Sequence, residues 1–165
     1  MSVTRKDPLP VFCFQVVFTD LKDVDPNYFK SVSGLRSETE VIPVRAGGAN
    51  ATTYNLVGAI KWSPLVLKQG FTVSTKLLDW RESWVKGPFG TGKKPYRSNG
   101  SILQLDTALN AVAVWEFKNA WPSKWELGDF DASKNELQIE SLEIVHEGLF
   151  YSMTKSGLEG KGKAR

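Results

Sequence analysis

The 165-residue chain is poor in the residues that build metal centres and covalent frameworks, with one cysteine, Cys13, and one histidine, His146. A lone cysteine makes no internal disulfide and a lone histidine no multi-histidine metal site, so zinc-finger, thioredoxin and disulfide-scaffold classes fall away. A chain of this length buries enough of its unfolded surface to hold a core without such staples. Long apolar runs are also missing. The longest, Val11 to Phe18, is far short of the roughly 20 residues a membrane helix needs. Pro8 and Pro10 interrupt the stretch behind Arg5 and Lys6 where a signal peptide would be apolar. The expectation is a single soluble domain, made and folded in a cytoplasm, with no membrane anchor.

A strong excess of one charge is absent too. The formal net charge is +3, and Lys155, Lys161, Lys163 and Arg165 against Glu159 account for all of it, leaving 17 charges of each sign in residues 1–153. Nucleic-acid binders carry a basic surplus over the whole domain, which this chain lacks. The body instead has opposed patches: Lys86, Lys93, Lys94 and Arg97 in one segment, and seven acids with only Lys134 between Glu126 and Glu147. Unlike patches on one neutral body suit self-association.

What the chain does have is β-patterning. Val11 to Thr19 places Phe12, Phe14, Val16 and Phe18 on one face, as a strand does. Leu35 to Val44 reads as a second strand, followed by a long mobile loop at Arg45-Ala-Gly-Gly-Ala-Asn50, where paired glycines interrupt the pattern. Lys61 to Gln69 is a third, with Pro64 marking an edge or bulge. The one convincing helix is capped by Ser74 and runs to about Val85, with Val73, Leu77, Trp80 and Trp84 as its buried stripe. Lys86 to Gly100 is a loop. Ile102 to Asp106 and Ala111 to Lys118 are strands joined by a turn at 107–110. In Glu136 to Phe150 the apolar phase moves from Leu137 and Ile139 to Leu142 and Ile144, which predicts a β-bulge near Ser141 and a bent strand. The fold class is mainly β, a curved β-sandwich or barrel with one packed α-helix, spanning 1–151 with an N-terminal arm and followed by a flexible basic tail at 152–165.

Each chemical motif has a plainer alternative. Gly87-Pro-Phe-Gly-Thr-Gly92-Lys93-Lys94 has the spacing of a phosphate-binding loop, but Lys94 stands where Ser or Thr would hold magnesium. The segment also follows a helix instead of opening one, so it reads as a basic loop. Cys13 and His146 make a hydrolase dyad only if brought together; Cys13 lies in an apolar strand, where cysteine acts as a small hydrophobe. The acids Glu136, Glu140, Glu143 and Glu147 are read on one strand face, a solvated row or an acidic wall toward a lumen or interface. Asn50-Ala-Thr52 is a glycosylation sequon without an export signal. Trp115, Trp121 and Trp125 beside Pro122 are either a stacking platform for a base or sugar, or the aromatics that pin a corner of the core.

Several segments resemble the tail tube protein family of contractile-tailed phages and of phage-tail-like contractile injection systems. They are Phe29-Lys-Ser-Val-Ser-Gly-Leu35, Ser37-Glu-Thr-Glu-Val-Ile42, Arg45-Ala-Gly-Gly48, Leu67-Lys-Gln-Gly-Phe71, Leu77-Leu-Asp-Trp80 and Leu137 to Gly148. The most specific is Trp115-Glu-Phe-Lys-Asn-Ala-Trp-Pro-Ser-Lys-Trp125. Departures are Pro43-Val44, where acidic or aromatic residues are common in the family, and the lysine-bearing loop from Lys86 to Arg97. The resemblance implies a non-enzymatic inner tube subunit without cofactor or metal. Its six-membered rings would stack into a hollow conduit inside a contractile sheath, with baseplate and spike proteins as partners and DNA or protein cargo in the lumen. Arg45, Gly47, Gly48 and Asn50 would occupy the ring-stacking loop. Lys93, Lys94 and Arg97 are candidates for charged contacts between subunits, and Glu136 and Glu140 for lumen or interface acids. A baseplate tube-initiator of the same fold and a monomeric nucleic-acid-binding module are the alternatives. Exposed sheet edges are a liability for a monomer, and ring closure would remove them.

Overall fold

The computed structural model describes residues 14–21, 24, 29–45, 47–48, 53–70, 75–91, 94–130, 133 and 137–153, without the side chains of 88–91 and 153. The elements are β1 (Phe14–Phe18), β2 (Phe29–Ser33), β3 (Ser37–Arg45), β4 (Thr53–Trp62), β5 (Leu65–Gly70), α1 (Lys76–Thr91), β6 (Ser98–Leu105), β7 (Ala111–Leu127), β8 (Ile139–Val145) and β9 (Gly148–Met153). The fold is mainly β with antiparallel pairing and one helix.

Seven strands form one bent sheet in the order β1-β6-β7-β8-β5-β2, with β9 also on β7. The bend lies in β7, a 17-residue strand. Its first half pairs with β6 and β9, and its second half, from Trp121, with β8. Asn119 has a positive φ of 51° at the switch, and the register shifts again between Pro122 and Lys124. Proline cannot donate to a ladder, so a bulge at Pro122 is where a long strand tolerates it. The two halves fold over one core in which Val16, Phe18, Ile102 and Phe117 face Leu65, Leu67, Leu142 and Ile144. Phe18 meets Trp80 and Phe117 edge-on at 5.6 and 5.7 Å, the arrangement that ring quadrupoles favour.

Helix α1 closes one end of this core. Leu77, Trp80 and Ser83 are buried, Trp84 is partly buried, and the indole N–H groups of Trp80 and Trp84 both donate to the Tyr96 carbonyl, at 3.0 and 3.1 Å. Arg81 donates to the Pro122 carbonyl at 3.1 Å, tying the helix to the bend. Val73 and Ser74 lie outside the described residues. The regular helix runs to Lys86, close to the expected end at Val85, and breaks at Gly87, whose φ of 59° suits glycine; a second short helical stretch follows to Thr91 inside the segment expected to be loop.

Other expectations need correction. The strand expected from Leu35 begins at Ser37, because Gly34, with φ of +90°, turns the chain just before it. The strand expected over 61–69 is split at Ser63-Pro64 between β4 and β5. No bulge lies at Ser141: β8 pairs with β5 without a shift, and Glu140, Leu142, Ile144 and His146 keep one inward phase. The irregularity lies on the facing strand at Pro122. Ser152 and Met153 belong to β9, so the strand runs past the expected start of the tail; residues 154–165 lie outside the described residues. The turn at 107–110 is present, with the Asp106 carboxylate accepting from the Ala108 and Asn110 amides at 2.9 Å. Those bonds, led by the Asn110 amide, lower the Asp106 pKa.

Candidate assembly surfaces

An exposed apolar surface stands on the β3–β4 hairpin, a two-stranded sheet separate from the main one. Its side chains are nearly all exposed, including Val41, Ile42, Val44, Tyr54, Leu56, Val57 and Ile60. Cross-strand partners share a face, so the pairs Ile42–Leu56 and Val44–Tyr54 make one apolar block, with Val41–Val57 on the other side. A hairpin alone is marginal in water, and apolar residues on both faces leave this one without a core of its own. Arg45 ends β3, and Gly47 and Gly48 form the turn, Gly48 with φ of +92°. The expected loop is thus the tip of a strand-built arm; Asn50 lies outside the described residues.

The arm's root is anchored. A Cβ on Gly34 would stand 2.0 Å from the Pro64 carbonyl oxygen, so the two crossing chains touch backbone to backbone. Arg36 donates to the Ser63 hydroxyl at 3.2 Å. His146 is buried below, one ring nitrogen 3.1 Å from the Ser63 carbonyl and the other 3.1 Å from that of Gly148, with Trp62 tilted against it at 6.0 Å. Its ring nitrogens are engaged structurally; Cys13, its proposed dyad partner, lies outside the described residues.

Trp115, Trp121 and Trp125 are half-buried, each engaged by a neighbour within the subunit. Trp115 packs on Tyr151 at 5.3 Å and Trp121 on Trp84 at 5.5 Å, while Pro122 is fully buried. Trp125 donates its indole N–H to Glu140 at 2.8 Å. Glu140 is only 3% exposed and takes a second bond from Gln69 at 3.3 Å. Glu140 therefore does not stand on an outward acidic row with Glu143 and Glu147. It faces the core, where two neutral donors satisfy its carboxylate. Glu136 lies outside the described residues.

The basic segment is divided. Lys94 is exposed and Lys93 lies outside the described residues. Lys86 pairs with Glu82 at 2.8 Å, one helical turn away. Arg97 is bound to Glu147, which also accepts from the Asn119 amide at 2.8 Å. The Asn119 bond first, and the Arg97 guanidinium with it, hold the Glu147 carboxyl below its ordinary value. This clasp bridges the bend of β7 and the β8–β9 junction, where the Glu147 amide donates to the Lys118 carbonyl. Gly87 breaks α1 and residues up to 91 form a short helical stretch after it, so the segment follows a helix and is not the strand-to-helix turn of a phosphate loop. Among the described residues no cluster of His, Cys, Asp or Glu could hold a metal ion, and no helix is long and apolar enough to cross a membrane.

The tip of the arm was expected from the sequence, whereas β4 was not. Two apolar stretches flanking Gly47-Gly48 were the available signal, since that arrangement marks a hairpin.

Comparisons with known proteins bear on these surfaces. No curated protein matches the chain. A chain of the anti-feeding prophage baseplate, solved with 6-fold symmetry, is 25% identical, covering 90% of this chain and 98% of its own with a TM-score of 0.77. A chain of the extracellular contractile injection system PVC, from its extended sheath-tube complex, is 22% identical, covering 89% and 93% with a TM-score of 0.73. A chain from the anti-feeding prophage tube terminating cap is 18% identical, covering 93% and 97% with a TM-score of 0.78. These neighbours are structural tail components, and the latter two share the fold. The profile of the T4-like virus tail tube protein gp19 matches residues 10–150. The chain belongs to that tail tube family and is a tail tube-like protein of contractile injection systems.

Proposed function

We propose that the chain is the inner tube subunit itself: six copies close into a ring, and rings stack into a hollow conduit for DNA or protein cargo. The tube stands inside a contractile sheath on baseplate and spike proteins and is assembled in the cytoplasm. The observation that carries this reading is the β3–β4 arm, whose apolar faces find no partner within the described residues. A repeated head-to-tail contact supplies one for every copy. In this reading Arg45, Gly47, Gly48 and Asn50 lie at the stacking end of the arm, and Lys93 and Lys94 are left for charged contacts between subunits. Arg97 is already committed to Glu147. The work of the tube is mechanical, with the sheath supplying the stroke.

A second reading is a baseplate tube-initiator, favoured by the likeness to a chain of the anti-feeding prophage baseplate. Negative-stain electron microscopy over a range of concentrations separates the two. A tube subunit gives hollow tubes that lengthen with concentration, an initiator gives rings that stop at one layer, and a persistent monomer at every concentration contradicts both.

A further inference from the structure

The arm has a counterpart elsewhere on the chain. Among the described residues β1 and β2, the two ends of the bent sheet, are not paired, and a cleft of about 570 Å³ opens beside them. Phe14, Ile102 and Trp115 line it from one half, and Val32 and Leu35 from the β2 side. Lys30 lies at its rim, exposed.

The arm presents matching chemistry. On the face of Ile42, Val44, Tyr54 and Leu56, strand alternation also places Glu38 and Glu40 nearer the root, with Lys61 3.7 Å from Glu40, so this face reads apolar at its far half and acidic behind it. An apolar block followed by net negative charge fits an apolar cleft with a lysine at its rim.

Geometry decides whose arm fills the cleft. Leu35 lines the cleft and sits two residues before the arm begins, whereas the apolar block lies five to seven residues beyond Ser37. At the rise of a β-strand that separation is about 20 Å, so a continuously paired hairpin reaches its own cleft only by folding back on itself. A second copy, displaced along the arm by about that distance, meets the cleft directly.

We propose that this cleft receives the Ile42–Leu56 face of the β3–β4 arm from another copy of the chain, giving an unlike, repeating contact. The inference rests on the tube-subunit reading and adds to it the receiving surface. The test uses full-length chains in which Cys13→Ser removes the native thiol. One chain carries Leu56→Cys on the arm, a second carries Val32→Cys in the cleft, and a control carries Val17→Cys on the outward face of β1. Mixed under assembly conditions and oxidised, the arm and cleft chains are expected to give a covalent heterodimer in about tenfold excess over the arm and control pair, because docking raises their effective concentration. Adding Ile42→Asp to the arm chain is expected to remove that excess.

A yield equal to the control overturns the inference. Electron microscopy of the same samples keeps the two readings apart. Tubes without the heterodimer overturn the cleft and leave the tube subunit standing. The heterodimer without rings or tubes supports the cleft and overturns the tube subunit. Neither product overturns both.

Discussion

Replacing Ile42 and Leu56 together by serine isolates the arm's contribution to assembly. They are 44% and 55% exposed in the single subunit and pair across the strands, so about half of each side chain remains to be covered by a partner. Full burial of such a side chain is worth about 1.5–3 kcal/mol, which makes the uncovered half worth about 1 kcal/mol and the pair about 2 kcal/mol per contact. That corresponds to a roughly 30-fold weaker association at every arm. Because each copy donates one arm, the loss repeats along the tube, and the concentration at which pelletable tubes appear should rise at least by that factor. The subunit itself should be untouched, with its unfolding free energy within about 0.5 kcal/mol of wild type, since neither residue belongs to the core. Sedimentation across a concentration series and urea unfolding of the unassembled protein measure the two quantities. An unchanged critical concentration would refute the assignment of the arm to assembly, and a large fall in subunit stability would show that it packs within the chain.

Three further outcomes follow from the geometry. Gly34→Ala combines a φ of +90° with a Cβ placed 2.0 Å from the Pro64 oxygen; strain and overlap together should cost roughly 2–5 kcal/mol in urea unfolding, and a neutral result would mean the root of the arm is not held as described. Trp125→Phe keeps the ring and deletes one of two donors to the buried Glu140 carboxylate, so a loss of about 2 kcal/mol is expected, and a loss below about 0.5 kcal/mol would show that the bond is not made. Glu147 titrates below its ordinary 4.5 in the folded chain, so its stabilising contribution is present above that pH and is lost as pH falls through the depressed folded value. Thermal unfolding of wild type and Glu147→Gln should differ at pH 6 and converge toward pH 3; curves that stay parallel would contradict the clasp.

The β class, the single helix and the turn at 107–110 were legible because each has a local cause: alternation, helical spacing of Leu77, Trp80 and Trp84, and an aspartate placed to accept nearby amides. The arm was not. Alternation reveals a strand when one face is buried, and β4 is apolar on both faces because neither is buried within the subunit. Its cause lies in contacts that a single chain does not contain. The bulge was misplaced for a different reason. A buried Glu140 interrupted the apolar phase of β8, while Leu137, 87% exposed, suggested a phase that the strand does not have. Only the distant Gln69 and Trp125 explain why a carboxylate sits there. The partner of Arg97, 50 residues away in sequence, was equally out of reach, so a basic patch was expected where part of the charge is neutralised at home.

The most direct test of the assembly account is a helical reconstruction of particles grown from the purified chain by electron cryomicroscopy. The account predicts a hollow tube of sixfold rings in which Ile42, Val44, Tyr54 and Leu56 are covered by a neighbouring copy. A tube in which those four side chains remain open to solvent would contradict it.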